Sequence, residues 1–236
     1  MAATPHEPPI RIIEGLAAED SALTSLIPEA PTLSRLKFVD CRFDRCDFSR
    51  HALFRTVFEG CDLSECRFDK VDMAEAQFVN CRASKARFVG AKSPQARFTN
   101  CNFSNTDWGG ANLTGARFKD CKLTGANFHG ASTPAIEFED CRLNSAYVRA
   151  LHFRKQTLKG LDFSDADLAG SDFRDALFLD CSLRGASLRG TRFEGADLRA
   201  CDLGQITLSD APVLRKAIIS KDQAADLLVG VGLIVR

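Results

Sequence analysis

Large apolar residues recur along this chain at every fifth position. Starting at Phe38 and stepping by five to Val213 gives 36 such centres without a slip. Seventeen are Phe and twelve are Leu; Met73, Trp108, Val148 and Val213 add four, and only Ala83, Ser93 and Thr133 depart from large and apolar. Two residues before each centre lies a second column, of small residues, holding 14 Ala, all 10 Cys, three Thr and Ser171. The other three positions of each pentad are mostly Asp, Asn, Arg, Lys, Ser and Gly. A helix would place apolar residues at i, i+3, i+4 and i+7, and a flat strand would alternate by two. A period of five held for 180 residues fits neither, and predicts that each pentad forms one side of a coil.

A second period supports this. Phe38, Phe58, Phe78, Phe98, Phe118 and Phe138 are twenty residues apart, and the ladder resumes at Phe178. Cys41, Cys61, Cys81, Cys101, Cys121 and Cys141 form another, resumed at Cys181 and Cys201. Twenty residues per turn is what four-sided coils predict.

The motifs Ala111-Asn112-Leu113, Ala126-Asn127-Phe128, Ala166-Asp167-Leu168 and Ala196-Asp197-Leu198 resemble the pentapeptide-repeat consensus A(D/N)LXX. The resemblance covers residues 36–215. It implies an all-β fold, a right-handed quadrilateral parallel β-helix with four pentads per coil. Thirty-six pentads would make nine coils, and at the ~4.8 Å spacing of strands the rod would be roughly 43 Å long. Such coils bury their faces only against neighbours.

The ends need covering, because an open sheet edge invites further pairing. Residues 1–35 lie outside the register: Met1 to Pro9 is expected to be disordered, and 10–35 to form an N-terminal cap with a short strand over Ile10–Leu16 and a helix or turn over Leu16–Ile27. Residues 216–236 contain a capping box, Ser220-Lys221-Asp222-Gln223, which predicts a helix start. Gly230 or Gly232 would end that helix. Ala224, Leu227, Leu228, Val231, Leu233 and Val235 then supply an apolar patch suited to a two-fold homodimer seam; folding back over the last coil is the competing expectation.

Composition narrows the chemistry. Lys plus Arg number 31 and Asp plus Glu 31, for a net charge of zero, so nothing favours direct binding of nucleic acid or an anionic membrane. No apolar run approaches the ~18 residues of a membrane span. The N-terminus has no signal-peptide pattern, and cysteines read as reduced thiols point to the cytoplasm. The Cys41, Cys46, Cys61, Cys66 spacing invites a zinc reading. Their place in the small inward column accounts for them as buried small hydrophobes instead, so no metal or other cofactor is expected. His51 occupies an inward position and His129 and His152 outward ones; no nucleophile, phosphate-loop or zinc-hydrolase motif is present, so no catalytic residue and no enzyme activity are expected. Pro94 and Pro134, forty residues apart, predict irregularity on one face, and Ser145 to Gly160 is the least ideal stretch of the repeat.

The resemblance extends to the subgroup of dimeric quinolone-resistance rods that bind DNA gyrase or topoisomerase IV, in part by imitating duplex DNA. Charge qualifies that likeness. Residues 36–210 hold 25 basic and 24 acidic residues, whereas B-DNA carries one charge per ~1.7 Å. Residues 161–210 are more acidic, with ten acidic residues against five Arg. Asp162, Asp165, Asp167, Asp172, Asp175, Asp197 and Asp202 are therefore candidate partner-binding residues for local mimicry beside the seam, with Tyr147 and Arg149 as a second candidate contact. A generic protein-interaction scaffold is the alternative function.

Overall fold

The computed structural model describes residues 10–19, 32–49, 51–205, 211–230 and 232–235. Each pentad makes one side of a coil, and its last residue turns the corner in the left-handed conformation: φ is 50° at Asp40, 55° at Asn80 and 66° at Gly60. This requirement explains the Gly, Asn and Asp at that position, since they carry the smallest penalty there.

The first face is a continuous parallel sheet. Its strands are β1 (Arg11–Glu14), β3 (Leu36–Val39), β5 (Val57–Glu59), β6 (Gln77–Val79), β7 (Arg97–Thr99), β8 (Arg117–Lys119), β9 (Glu137–Glu139), β10 (Thr157–Lys159), β11 (Leu177–Ser182) and β12 (Asp197–Asp202). Phe38 pairs with Phe58, Phe58 with Phe78, Phe78 with Phe98 and Phe98 with Phe118. The other three faces are ladders of single bridges at the same spacing, such as Arg82 to Asn102 to Lys122, Arg87 to Asp107 to Asn127, and Asp72 to Lys92 to Asn112. The fold is thus the expected four-sided parallel β-solenoid, of about eight turns, with one short C-terminal helix.

The repeat slips at the C-terminal end. The register places the final centre at Val213, but Leu214, in a 3-10 turn over Ala211–Leu214, is the buried residue. Ile218 bridges Asp197, twenty-one residues away instead of twenty. At the N-terminal end β1 pairs with β3 and β2 (Ala17–Glu19) with β4 (Arg42–Asp44), placing Ile13 on Phe38 and Ala18 on Phe43. The cap therefore extends the solenoid itself, at an offset of twenty-five residues. Ala17–Glu19 is strand where the sequence suggests a helix or turn; residues 1–9 and most of the remaining cap lie outside the described residues.

The core consists of stacked rings. Phe98 lies between Phe78 and Phe118 at centroid distances of 5.3 and 4.5 Å, near-parallel to both. Rings on adjacent faces meet edge-on, as Phe98 meets Phe103, so both favourable aromatic geometries are used together. Trp108 stacks on Phe88 and donates its Nε1–H to Thr106 Oγ1, 2.9 Å away.

On the fourth face the ladder is interrupted once among the described residues. Bridges run from Ala52 to Ser132 and resume from His152 to Arg192, with none joining Ser132 to His152. The backbone bonds that would cross there are not made, although Ser93 N–H to Asn112 O and Gln95 N–H to Thr114 O are made in the coil pair nearer the N-terminus. Pro134 lies in this seam. Pro94, expected to disturb the same face, does not: the N–H of that pentad position faces its own coil, as Thr114 N–H donates to Asn112 Oδ1, so proline forfeits no ladder bond.

Candidate interaction surfaces

The seven acidic candidates do not share a surface. Asp197 lies on the first face, Asp162, Asp165 and Asp202 on the second, Asp167 on the third, and Asp172 and Asp175 on the fourth. Five are paired to arginine: Asp167 to Arg149 at 3.5 Å, Asp172 to Arg174, Asp175 to Arg154 at 3.4 Å, Asp197 to Arg199 at 2.6 Å and Asp202 to Arg184 at 3.2 Å. Asp162 accepts the Ser164 N–H at 2.9 Å, turning its own corner. Hydrogen bonds from Arg174 hold the Asp172 carboxyl down at about 2, and Arg199 lowers Asp197 in the same way.

Summing charge along the chain hides these arginine partners. They sit two residues on, as in Asp172 and Arg174, or on the neighbouring coil, as in Asp175 and Arg154. Both spacings are visible in the pentad register.

Tyr147 is on the third face, 55% exposed. It bridges Asn127 and Asp167 in the ladder, and Arg149 beside it is held by Asp167. His129 and His152 are exposed, while His51 is half-buried with Nδ1 near Phe48 O.

At the C-terminal end, α1 (Lys221–Val229) starts on the expected capping box, with Ser220 and Gln223 bonded reciprocally. Gln223 also donates to Leu198 O at 2.8 Å and Cys201 O at 2.7 Å, satisfying carbonyls of the last coil. The helix ends at Gly230. Ala224 and Leu227 are half-buried, whereas Leu228, Leu233 and Val235 are exposed, and Ile234 is 84% exposed. Val231 lies outside the described residues. The helix therefore fixes the last coil but leaves an apolar end open.

A fourth feature lies over the cysteine ladder, outside the candidate contact residues. An open groove of about 520 Å³ runs along the corner between the first and second faces. Cys81, Cys101 and Cys121 form its floor, Asn80, Asn100, Asp120 and Asp140 one side, and Arg82, Asn102, Lys122 and Arg142 the other. The thiols are nearly buried and unbridged. Each donates weakly to a carbonyl of the preceding coil: Cys81 to Phe58 O at 3.3 Å, Cys101 to Phe78 O at 3.4 Å and Cys121 to Phe98 O at 3.3 Å. The stacked Cys101 sulphur and burial push the Cys81 thiol above its ordinary range. Among the described residues, no group of three or more His, Cys, Asp or Glu is placed to hold a metal ion.

Two comparisons bear on this geometry. The pentapeptide repeat region family matches residues 51–128, and the pentapeptide repeats (8 copies) family matches 136–175 and 176–211. Two solved structures of QnrB1, a plasmid-mediated fluoroquinolone resistance protein, superpose on nearly the whole chain; both are trypsin-treated variants. One has a TM-score of 0.60 at 18% identity, covering 97% of this chain and 100% of that one. The other has a TM-score of 0.62 at 21% identity, covering 96% and 99%. HetL, a pentapeptide repeat protein involved in heterocyst differentiation regulation in the cyanobacterium Nostoc, is more distant in shape, with a TM-score of 0.39, 19% identity and coverage of 81% and 88%. No curated protein matches the chain. With its repeats matched over more than half its length and its coils formed as those repeats require, the chain belongs to the pentapeptide repeat family.

Proposed function

We propose that this protein is a non-catalytic, protein-binding rod that pairs with a second copy through its C-terminal end and binds a type II topoisomerase, DNA gyrase being the specific candidate, so as to protect it from poisons. The observation that carries this reading is near-complete co-extension with a fluoroquinolone resistance protein: the two matches cover 97% and 96% of this chain and 100% and 99% of those. The open apolar surface of Leu228, Leu233, Ile234 and Val235 supports the pairing, since a two-fold contact buries one patch against itself.

A second reading is favoured by the charges. The acidic residues are spread over four faces and mostly neutralised by arginine, which is a poor copy of a phosphate backbone. A rod of this kind also suits a scaffold for another protein. Supercoiling by purified gyrase, with and without a fluoroquinolone and with this protein titrated in, separates the two. Rescue from the drug, or inhibition at higher dose, supports the topoisomerase reading; no effect at micromolar protein leaves the scaffold.

A further inference from the structure

The thiols beneath the groove are more than small core residues. Cys41, Cys61, Cys81, Cys101, Cys121 and Cys141 occupy one column on six successive coils. The groove over Cys81 to Cys121 continues toward the N-terminus over Cys41 and Cys61, beside Arg42. On the other three faces the inward small position is most often Ala, whereas on this face it is Cys on eight coils of nine, so sulphur is particular to this face.

We propose that this ladder binds a soft monovalent cation, Cu(I) or Ag(I), two-coordinate between the sulphurs of adjacent coils, with the Cys81–Cys101 and Cys101–Cys121 pairs as the primary sites. Three observations support it. First, the spacing fits. Two metal–thiolate bonds of roughly 2.3 Å laid end to end span about 4.6 Å, close to the ~4.8 Å separation of stacked strands. A tetrahedral ion needs four converging ligands, which a straight column cannot supply; among the described residues no three-ligand cluster forms, so the ladder suits a linear site and not a zinc-like one. Thiolate ligands select Cu(I) among the common ions of this kind.

Second, the charge balances. Each thiol gives up its proton to water and its weak bond to a carbonyl. Two thiolates and one monovalent cation leave a single negative charge. Arg82, Lys122 and Arg142 stand along the groove, no ion pair engages them among the described residues, and against Asp120 and Asp140 on the other side they leave it net positive. They supply the compensating positive charge that a buried anion needs. Third, the central sulphur already has a donor that would stabilise a thiolate: Cys101 receives the Cys81 backbone N–H at 3.3 Å. Cys46 and Cys66 stack in the same way on the next corner, but Arg67 beside them is engaged by Asp47 and Asp69. Spacing alone is therefore separable from spacing with available cations.

The test is anaerobic titration of the full chain with Cu(I), supplied as its acetonitrile complex, and with Ag(I). Uptake is read by native mass spectrometry and by competition with bicinchoninate, while circular dichroism follows the fold. The expected result is uptake by folded protein, with two protons displaced by the first ion and one by a second that shares Cys101. In C81A/C101A/C121A, whose substitutions introduce the residue commonest at the inward small position of the other faces, affinity should fall by more than the roughly 10–100-fold that loss of an outer-shell partner costs. In C46A/C66A it should be unchanged. No uptake, uptake undiminished in the triple variant, uptake lost in C46A/C66A instead, or uptake only as the fold is lost would each overturn the proposal.

Discussion

Phe98 shows how a single residue is held. Its ring is fully buried, parallel to two rings in its own column and edge-on to Phe103 and Trp108. Phe98→Ala removes one ring from a stack that cannot collapse, because the backbone ladder fixes the coil spacing. The expected cost is about 3–5 kcal/mol, measurable by denaturant unfolding with Trp108 as the fluorescent reporter. Asp172 offers a second residue-scale test. Arg174 lowers its carboxyl to about 2 in the folded protein, against about 3.9 in an unfolded chain. A depressed carboxyl contributes stability in full above the unfolded value and loses it as pH falls through the folded one. Thermal midpoints should therefore drop between about pH 4 and pH 2, and Asp172→Asn should flatten that part of the profile.

At the scale of elements, the seam on the fourth face is the weakest join. Among the described residues, the amides of Thr133, Ala135 and His152 have no ladder partner, while those of Ser93, Gln95 and Asn112 do. Hydrogen exchange should be faster at the first three than at the second three, and equal protection would show that the coils close there. This seam is only half legible in the sequence. Pro134 and the imperfect repeat from Ser145 to Gly160 both point to it, but Pro94 points elsewhere with equal force. The difference lies in whether neighbouring coils meet, which no pentad encodes alone. The C-terminal helix is legible because Ser220 and Gln223 form a local motif. Their second task, Gln223 reaching Leu198 and Cys201, depends on where the last coil ends and cannot be read from spacing.

For the whole molecule, the pattern is legible wherever one coil repeats the last and fails wherever the repeat stops. The twenty-five-residue offset of Ile13 and the one-residue slip at Ile218 are closure effects at the two ends. The acidic set misleads for a related reason: Asp162, Asp167 and Asp172 are neighbours in sequence, yet each five-residue step turns a corner, so equal spacing disperses them around the rod. Pairing of two rods is the prediction that belongs at this scale. Light scattering should give twice the chain mass for the native protein, and Leu228→Asp with Ile234→Asp should return it to one, with circular dichroism unchanged. The twenty-residue turn has a consequence for descent. Copying sixty nucleotides in frame would add one complete rung of ~4.8 Å without asking any existing side chain to find a new neighbour, provided the cut falls within the regular coils. A molecule of this kind is a ruler whose length can be reset by whole units, while any insertion out of step must be absorbed at an end, as the N-terminal strands already do.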